Sequence, residues 1–245
     1  MMKHEDMVQL VQGVLKLYSI AFKVSTFPHY KVIISKSIFD ERLKLCQSLF
    51  ERQEVYGHRD ELEQLNGTMV GPENDDRTYY LIVSEERFAD QISYIGTVAH
   101  EFTHILDFAE YFEQNNIIDT RFIKNADYNF AHFYSEIRAR YRGSLLSWKL
   151  QNMTQIDTVS FSRLIEQYGD ILKHGMRLYY IAQFYGQYIA AKSLDPNFDI
   201  PLPKYLDRGI IPLLSLIAER INDSNIYDSY DEIKHVFDDL EGEYQ

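Results

Sequence analysis

Apolar positions recur along this chain at two spacings, one helical and one extended. Met7, Leu10, Val11, Val14, Leu15, Tyr18 and Phe22 return every three or four residues, so residues 5–22 are expected to form a helix. Phe27-Pro28 closes that region, because a residue before proline avoids helical angles. Tyr30 to Ser35 is short and β-branched, and is expected to be a strand. Helical spacing returns over 37–56 through Ile38, Leu43, Leu45, Leu49 and Phe50, and 57–63 reads as a polar loop or helix end. Thr68 to Val70 and Thr78 to Ser84, joined by the turn-rich segment 71–77, are expected to form a hairpin. Together these runs imply a small sheet of about three strands.

The remainder is helical almost throughout. Ser84 is placed to cap the next helix, with Glu85 and Glu86 in its first turn, where negative charge is favoured. That pattern runs to about Glu113, with a break expected near Gly96. Residues 114–127 are polar and read as a loop. Tyr128 to Leu150 then carries Phe130, Phe133, Ile137, Tyr141, Leu145 and Trp148 along one side of a helix. Residues 160–191 read as two helices broken near His174-Gly175, and 195–203 as a proline-marked connection. Two further helices are expected over 205–221 and 229–241. The expected fold class is α+β, mainly helical, with a core over 1–155 and a helical extension over 156–245 packed on it as one continuous domain.

Composition narrows the function classes. The 245 residues are 45% hydrophobic and 14% aromatic, enough to bury a sizeable core filled with rings. A formal net charge of −12 without a basic run disfavours nucleic acid as a partner. The one cysteine, Cys46, rules out an intramolecular disulfide and fits a reducing compartment. It lies among Leu43, Leu45 and Leu49 and is expected to be a core residue. No run approaches a membrane span, and the first ten residues are too charged for a signal peptide, so the expected location is cytoplasmic.

The chemistry concentrates at His100-Glu101-Phe102-Thr103-His104. On a helix, positions i and i+4 differ by about 40° of rotation and one turn of rise, so both imidazoles can reach one metal ion. Glu101 stands beside the first of them, where its carboxylate can take a proton from a metal-bound water. The flanks (Ile95, Val98, Ala99, Ile105, Leu106, Phe108) are apolar and small, so this helix is packed, and histidines on a packed helix need partners. This is the HExxH pattern of zinc metallopeptidases.

A catalytic zinc takes three protein ligands and a water, so a third donor is required. A glycine three residues past His104 and a histidine three further on would make a metzincin site, but those positions are Asp107 and Glu110. Asp107 lies about 20° from His100 in projection but too far along the axis to close a tetrahedron. It is expected instead to accept an imidazole N–H, or to be a solvated carboxylate. The best candidate is Glu136, 32 residues after His104 on the next long helix, with His132 and Asp127 as alternatives. An i,i+4 ion pair with Arg140 is the competing role for Glu136.

Over residues 78–145 the chain resembles the gluzincin metallopeptidases, in which HExxH on one helix is completed by a glutamate on the following one. Its strand–helix–helix layout looks like the small bacterial and phage-associated peptidases of the ImmA/IrrE type. The resemblance implies a zincin-like core, a zinc ion as cofactor, a protein or peptide substrate, and hydrolysis in which Glu101 is the general base. Some members cleave repressors or other regulatory proteins. Candidate oxyanion donors are Tyr128, His132, Tyr134, His174 and Tyr179, and the 78–84 strand offers an edge for an extended substrate. The competing expectation is a non-catalytic zinc-containing regulatory or binding protein that uses its C-terminal helices as the partner surface.

Overall fold

The computed structural model describes residues 4–72, 77–86, 91–117, 126–174, 177–201, 210–223 and 229–244. Helix α1 (His4–Phe22) buries the stripe Met7, Val11, Val14, Leu15 and Tyr18 that its spacing sets out. It ends at Lys23, whose φ of 55° reverses the chain. Strand β1 (Tyr30–Ser35) follows. The stretch expected as one helix over 37–56 is two, α2 (Ile38–Leu45) and α3 (Leu49–Gly57). Ser48 explains the break: it caps α3 in a reciprocal capping box with Glu51, and so starts a new helix inside the apolar pattern. Cys46 sits at that junction half-buried, its thiol donating to the Arg42 carbonyl at 3.2 Å, rather than in the core. The polar segment after it contains one further turn of helix, α4 (Arg59–Leu62).

Strands β2 (Gly67–Val70) and β3 (Tyr79–Ser84) pair antiparallel, while β1 pairs parallel with β3, giving the order β1-β3-β2. The expected hairpin and three-stranded sheet are present, with 73–76 of the connecting turn outside the described residues. Strand β3 is the centre of the sheet and has no free edge, which corrects the expectation that a substrate strand could pair with it. Its faces are both buried. Tyr79, Leu81 and Val83 enter the main core, and Ile82 joins Ile38 and Val70 in a second, smaller cluster.

Two long helices form the centre of the molecule. Helix α5 (Gln91–Gln114) runs unbroken through Gly96, and Ser84 closes β3 rather than capping it; residues 87–90 lie outside the described set. Helix α6 (Ala126–Leu150) packs along α5 on one side and along α8 (Leu178–Leu194) on another, so it is buried nearly all round. The approach of α5 and α6 needs glycine: a Cβ on Gly143 would stand 2.7 Å from the Gly96 carbonyl oxygen and 3.2 Å from the His100 Cβ. Helices α7 (Thr158–His174), α9 (Ile210–Arg220) and α10 (Tyr230–Tyr244) complete the chain. One main core cluster runs from Met7 to Phe237 and includes residues on both sides of position 156. The protein is thus mainly helical with a small mixed sheet. No helix among the described residues is long and apolar enough to cross a membrane.

Two fully buried arginines of α6 link these layers. Arg142 donates to the Tyr18 hydroxyl at 2.8 Å and to the Asp223 carbonyl at 3.0 Å, and Tyr18 in turn lies 2.8 Å from the Thr103 hydroxyl. Arg138 pairs with Asp107 of α5 at 3.3 Å.

Candidate metal centre

The facing sides of α5 and α6 bring three donors together. His100, His104 and Glu136 place their ligand atoms within 4.8 Å of one another, a group able to hold a metal ion. The two Nε2 atoms are 3.1 Å apart, His104 Nε2 is 3.1 Å from Glu136 Oε2, and His100 Nε2 is 3.7 Å from Glu136 Oε1. The helical i,i+4 spacing sets the first pair. The α5–α6 contact at Gly143, one residue from the Arg142 anchor, brings up the third.

Neighbouring groups fix each donor. Ser135 Oγ lies 2.8 Å from His104 Nδ1 and holds the ring with Nε2 turned inward; where the serine accepts, the Nε2 lone pair is free for a cation. His100 Nδ1 is buried and meets no acceptor at hydrogen-bond geometry, though the Ala139 backbone carbonyl lies close enough to favour a proton there too. Glu136 Oε1 accepts from Arg140 Nε at 3.1 Å and from the Gln183 amide of α8, leaving Oε2 to the centre. The ion pair with Arg140 and the place beside the histidines were alternatives in the sequence; Glu136 occupies both. Two imidazole lone pairs and a carboxylate oxygen converging at these distances repel one another unless a cation or protons lie between them.

Electrostatics follow the same lines. Burial drives the His100 pKa well below its ordinary value, and Glu136 only partly opposes it. Burial pulls on His104 likewise, but its contact with Glu136 prevails and leaves it raised. Burial would raise the Glu136 carboxyl, yet His100, His104 and Arg140 hold it well below the carboxylate range. Glu101 differs from Glu136. Its pKa is raised, chiefly by burial, with the Met69 backbone N–H and His104 offsetting part of the effect.

Glu101 lies outside the donor set, its Oε1 3.9 Å from His100 Nε2. The side chains of both residues are still 12–13% exposed, and what they face is a cleft of about 700 Å³ between the β2 end of the sheet, α5, α6 and the start of α7. Gly67 keeps β2 close to this point: a Cβ there would meet Thr97 Cγ2 at 2.7 Å and Glu101 Cγ at 3.2 Å.

The remaining sequence candidates are placed as follows. Asp107 does not accept the imidazole N–H expected of it, since Ser135 occupies that position, and its own partner is Arg138. It acts on His104 only through its field. His132 is exposed and outside the donor group, with its ring stacked 6.3 Å from that of His104. Tyr134 is in the core, its hydroxyl 3.3 Å from Ser229 Oγ. His174 stacks on Tyr180 at 4.7 Å. Tyr128 packs against Phe108 and Phe112. None of these four lines the cleft. Tyr179 is 57% exposed and within the electrostatic reach of Glu136 and Arg140. The Asp127 side chain lies outside the described residues.

Ser135, Gln183 and Met69 carry no motif that would announce them. A faint signal exists for the second: Gln183 and Gln187 are the only amides in the otherwise apolar run Ile181–Ala191. No protein-family model, curated protein or solved structure matches this chain, so its chemistry is argued from the site.

Proposed function

We propose that the protein is a zinc-dependent peptidase with a zincin-like core over α5, α6 and the sheet, the class its HExxH helix resembles. The observation that carries this reading is a three-donor group beside an acidic residue, with His100 and Glu101 both lining one cleft. Donors about 2.0–2.1 Å from a tetrahedral zinc stand roughly 3.3 Å apart. The 3.1 Å separations of His104 Nε2 from His100 Nε2 and from Glu136 Oε2 fit that figure, and the three ligand atoms all lie within 4.8 Å of one another. A structural zinc is closed by four protein ligands, whereas the group found among the described residues has three.

His100, His104 and Glu136 would hold the zinc ion, which when bound would lower the pKa of a water and polarise a carbonyl. Glu101 is the general base: it takes a proton from the attacking water and returns it to the leaving amine. Burial raises its pKa, the direction that suits a group that must both take and return a proton. The Met69 N–H orients the carboxylate from the side of the sheet. Tyr179, exposed and within electrostatic reach of Glu136 and Arg140, is the remaining candidate oxyanion donor, although it does not line the cleft.

An extended substrate has β2 available instead of β3. Asn66 pairs with Ser84 at 2.8 Å, so the alternation of an antiparallel ladder turns the main-chain groups of Gly67 and the Met69 carbonyl to the outer edge, the Met69 N–H being taken by Glu101. Hydrolysis of unfolded casein by the zinc-loaded protein, against Glu101→Gln, tests the proposal. Cleavage by the wild type alone, at equal zinc content, is the expected result; equal cleavage by both, or none by either, contradicts it.

A further inference from the structure

The cleft does not end at the metal group. It continues along α6 toward the start of α7, where Arg140, Ser144, Gln151, Ser160, Arg163 and Gln187 form its walls. In a chain of net charge −12, this arm carries two guanidinium groups. Arg140 spends Nε on Glu136 at 3.1 Å and is the more fixed of the two, with 35% of its side chain exposed. Its four terminal N–H donors meet no other carboxylate among the described residues. Arg163 is exposed at the rim; it feels the Asp157 carboxylate through its field, but no ion pair within 4 Å holds it among the described residues.

The acidic groups of the cleft are already engaged. Glu101 accepts from the Met69 N–H, and Asp157 accepts from the Ser160 N–H at 2.7 Å as the cap of α7. Gln187 adds an independent observation. Its Oε1 is buried at the wall of this arm and has no hydrogen-bond partner among the described residues. A buried acceptor without a donor is costly, and a peptide N–H entering the arm would satisfy it.

We infer that this arm binds a carboxylate of the substrate, selecting peptides with an acidic residue, or a free C-terminal carboxylate, close to the cleaved bond. Arginine presents a planar fork matched to a carboxylate, and such charge-assisted pairs are the strong ones. Arg163, exposed at the rim, supplies the fork, Arg140 adds positive charge to the same arm, and Gln187 takes a main-chain N–H. The inference rests on the peptidase reading for its consequence, but binding can be measured apart from turnover.

The test uses the zinc-loaded full chain carrying Glu101→Gln, which retains the cleft while removing the base. Fluorescein-labelled alanine-glycine decapeptides carry a single Glu, Asp, Gln or Asn, with a free or an amidated C-terminus, and binding is followed by anisotropy. Binding about 10-fold tighter for Glu or Asp over the isosteric amide, or for the free over the amidated end, is expected and names the carboxylate's source. Adding Arg163→Gln should remove most of that ratio at unchanged zinc content. Equal binding of acid and amide forms, no binding up to millimolar peptide, or a ratio indifferent to Arg163→Gln overturns the inference. If the wild type cleaves acid and amide peptides alike, only the inference falls. Charge-selective binding without cleavage by the wild type leaves the inference standing and removes the peptidase reading.

Discussion

Ser135 Oγ stands 2.8 Å from His104 Nδ1, one residue before Glu136 in the chain. The same turn of α6 therefore contributes both a donor atom and the group that orients another donor. Losing such a partner costs roughly 10–100-fold in metal affinity. Ser135→Ala is expected to weaken zinc binding by that factor with little change in thermal stability, measured by competition with a chelating dye. Gln183→Leu, which leaves Glu136 Oε1 to Arg140 alone, is expected to act in the same direction.

The α5–α6 contact predicts opposite outcomes for two glycines. In Gly143→Ala the new Cβ would lie 2.7 Å from the Gly96 carbonyl oxygen, and overpacking of this kind costs about 1–3 kcal/mol. Because His100 Cβ is 3.2 Å from the same point, zinc affinity should fall as well. Gly13→Ala meets nothing within 4 Å on the exposed side of α1, so helix propensity decides, and a gain of about 0.5–1 kcal/mol is expected. Chemical denaturation of both variants checks the signs.

The HExxH segment was legible because its geometry is local: 3.6 residues per turn puts His100 and His104 together in any helix. Glu136 was legible as a candidate because an ionised side chain among Phe133, Ile137 and Ala139 must find a partner. Ser135 and Gln183 were not, since what recruits them is the crossing of α6 with α5 and α8, and no local spacing encodes it. The position of β3 was misjudged although its run Tyr79–Val83 is apolar at successive residues, a pattern that suits a strand covered on both faces. A parallel neighbour whose paired residues are 49 positions away in the chain leaves no other mark. Asp107 was given a role at the histidines because its partner Arg138 lies on another helix. Ser48 and Glu51 were overlooked as a capping box, and so α2 and α3 were read as one helix.

Asp107 and Arg138 form a pair that is 1–2% exposed, and removing one side strands the other charge. Asp107→Ala is expected to destabilise the fold by about 3–5 kcal/mol. Combining it with Arg138→Met, which takes out the guanidinium too, should recover much of that loss. A double-mutant cycle from urea unfolding gives the coupling; strict additivity would show that the pair is not what matters.

Asp157 supplies a pH prediction. The Ser160 N–H it accepts holds its carboxyl below the ordinary value, so the folded protein binds that proton less readily than the unfolded chain. The stabilisation is therefore full above the unfolded pKa of about 3.9 and is lost as pH falls through the lower folded value. Asp157→Ala should cost about 1 kcal/mol at pH 7, with the deficit shrinking below pH of about 4. Asp157→Asn keeps a capping oxygen and should lack that pH dependence, as thermal melts at both pH values would show.

The most direct test of the metal centre is calorimetric titration of metal-stripped protein with zinc, comparing the wild type with Glu136→Ala. One zinc bound per wild-type chain, and loss of that stoichiometric binding in Glu136→Ala, is the predicted result. A wild type that takes up no zinc, or a Glu136→Ala variant that binds it equally tightly, would contradict the account.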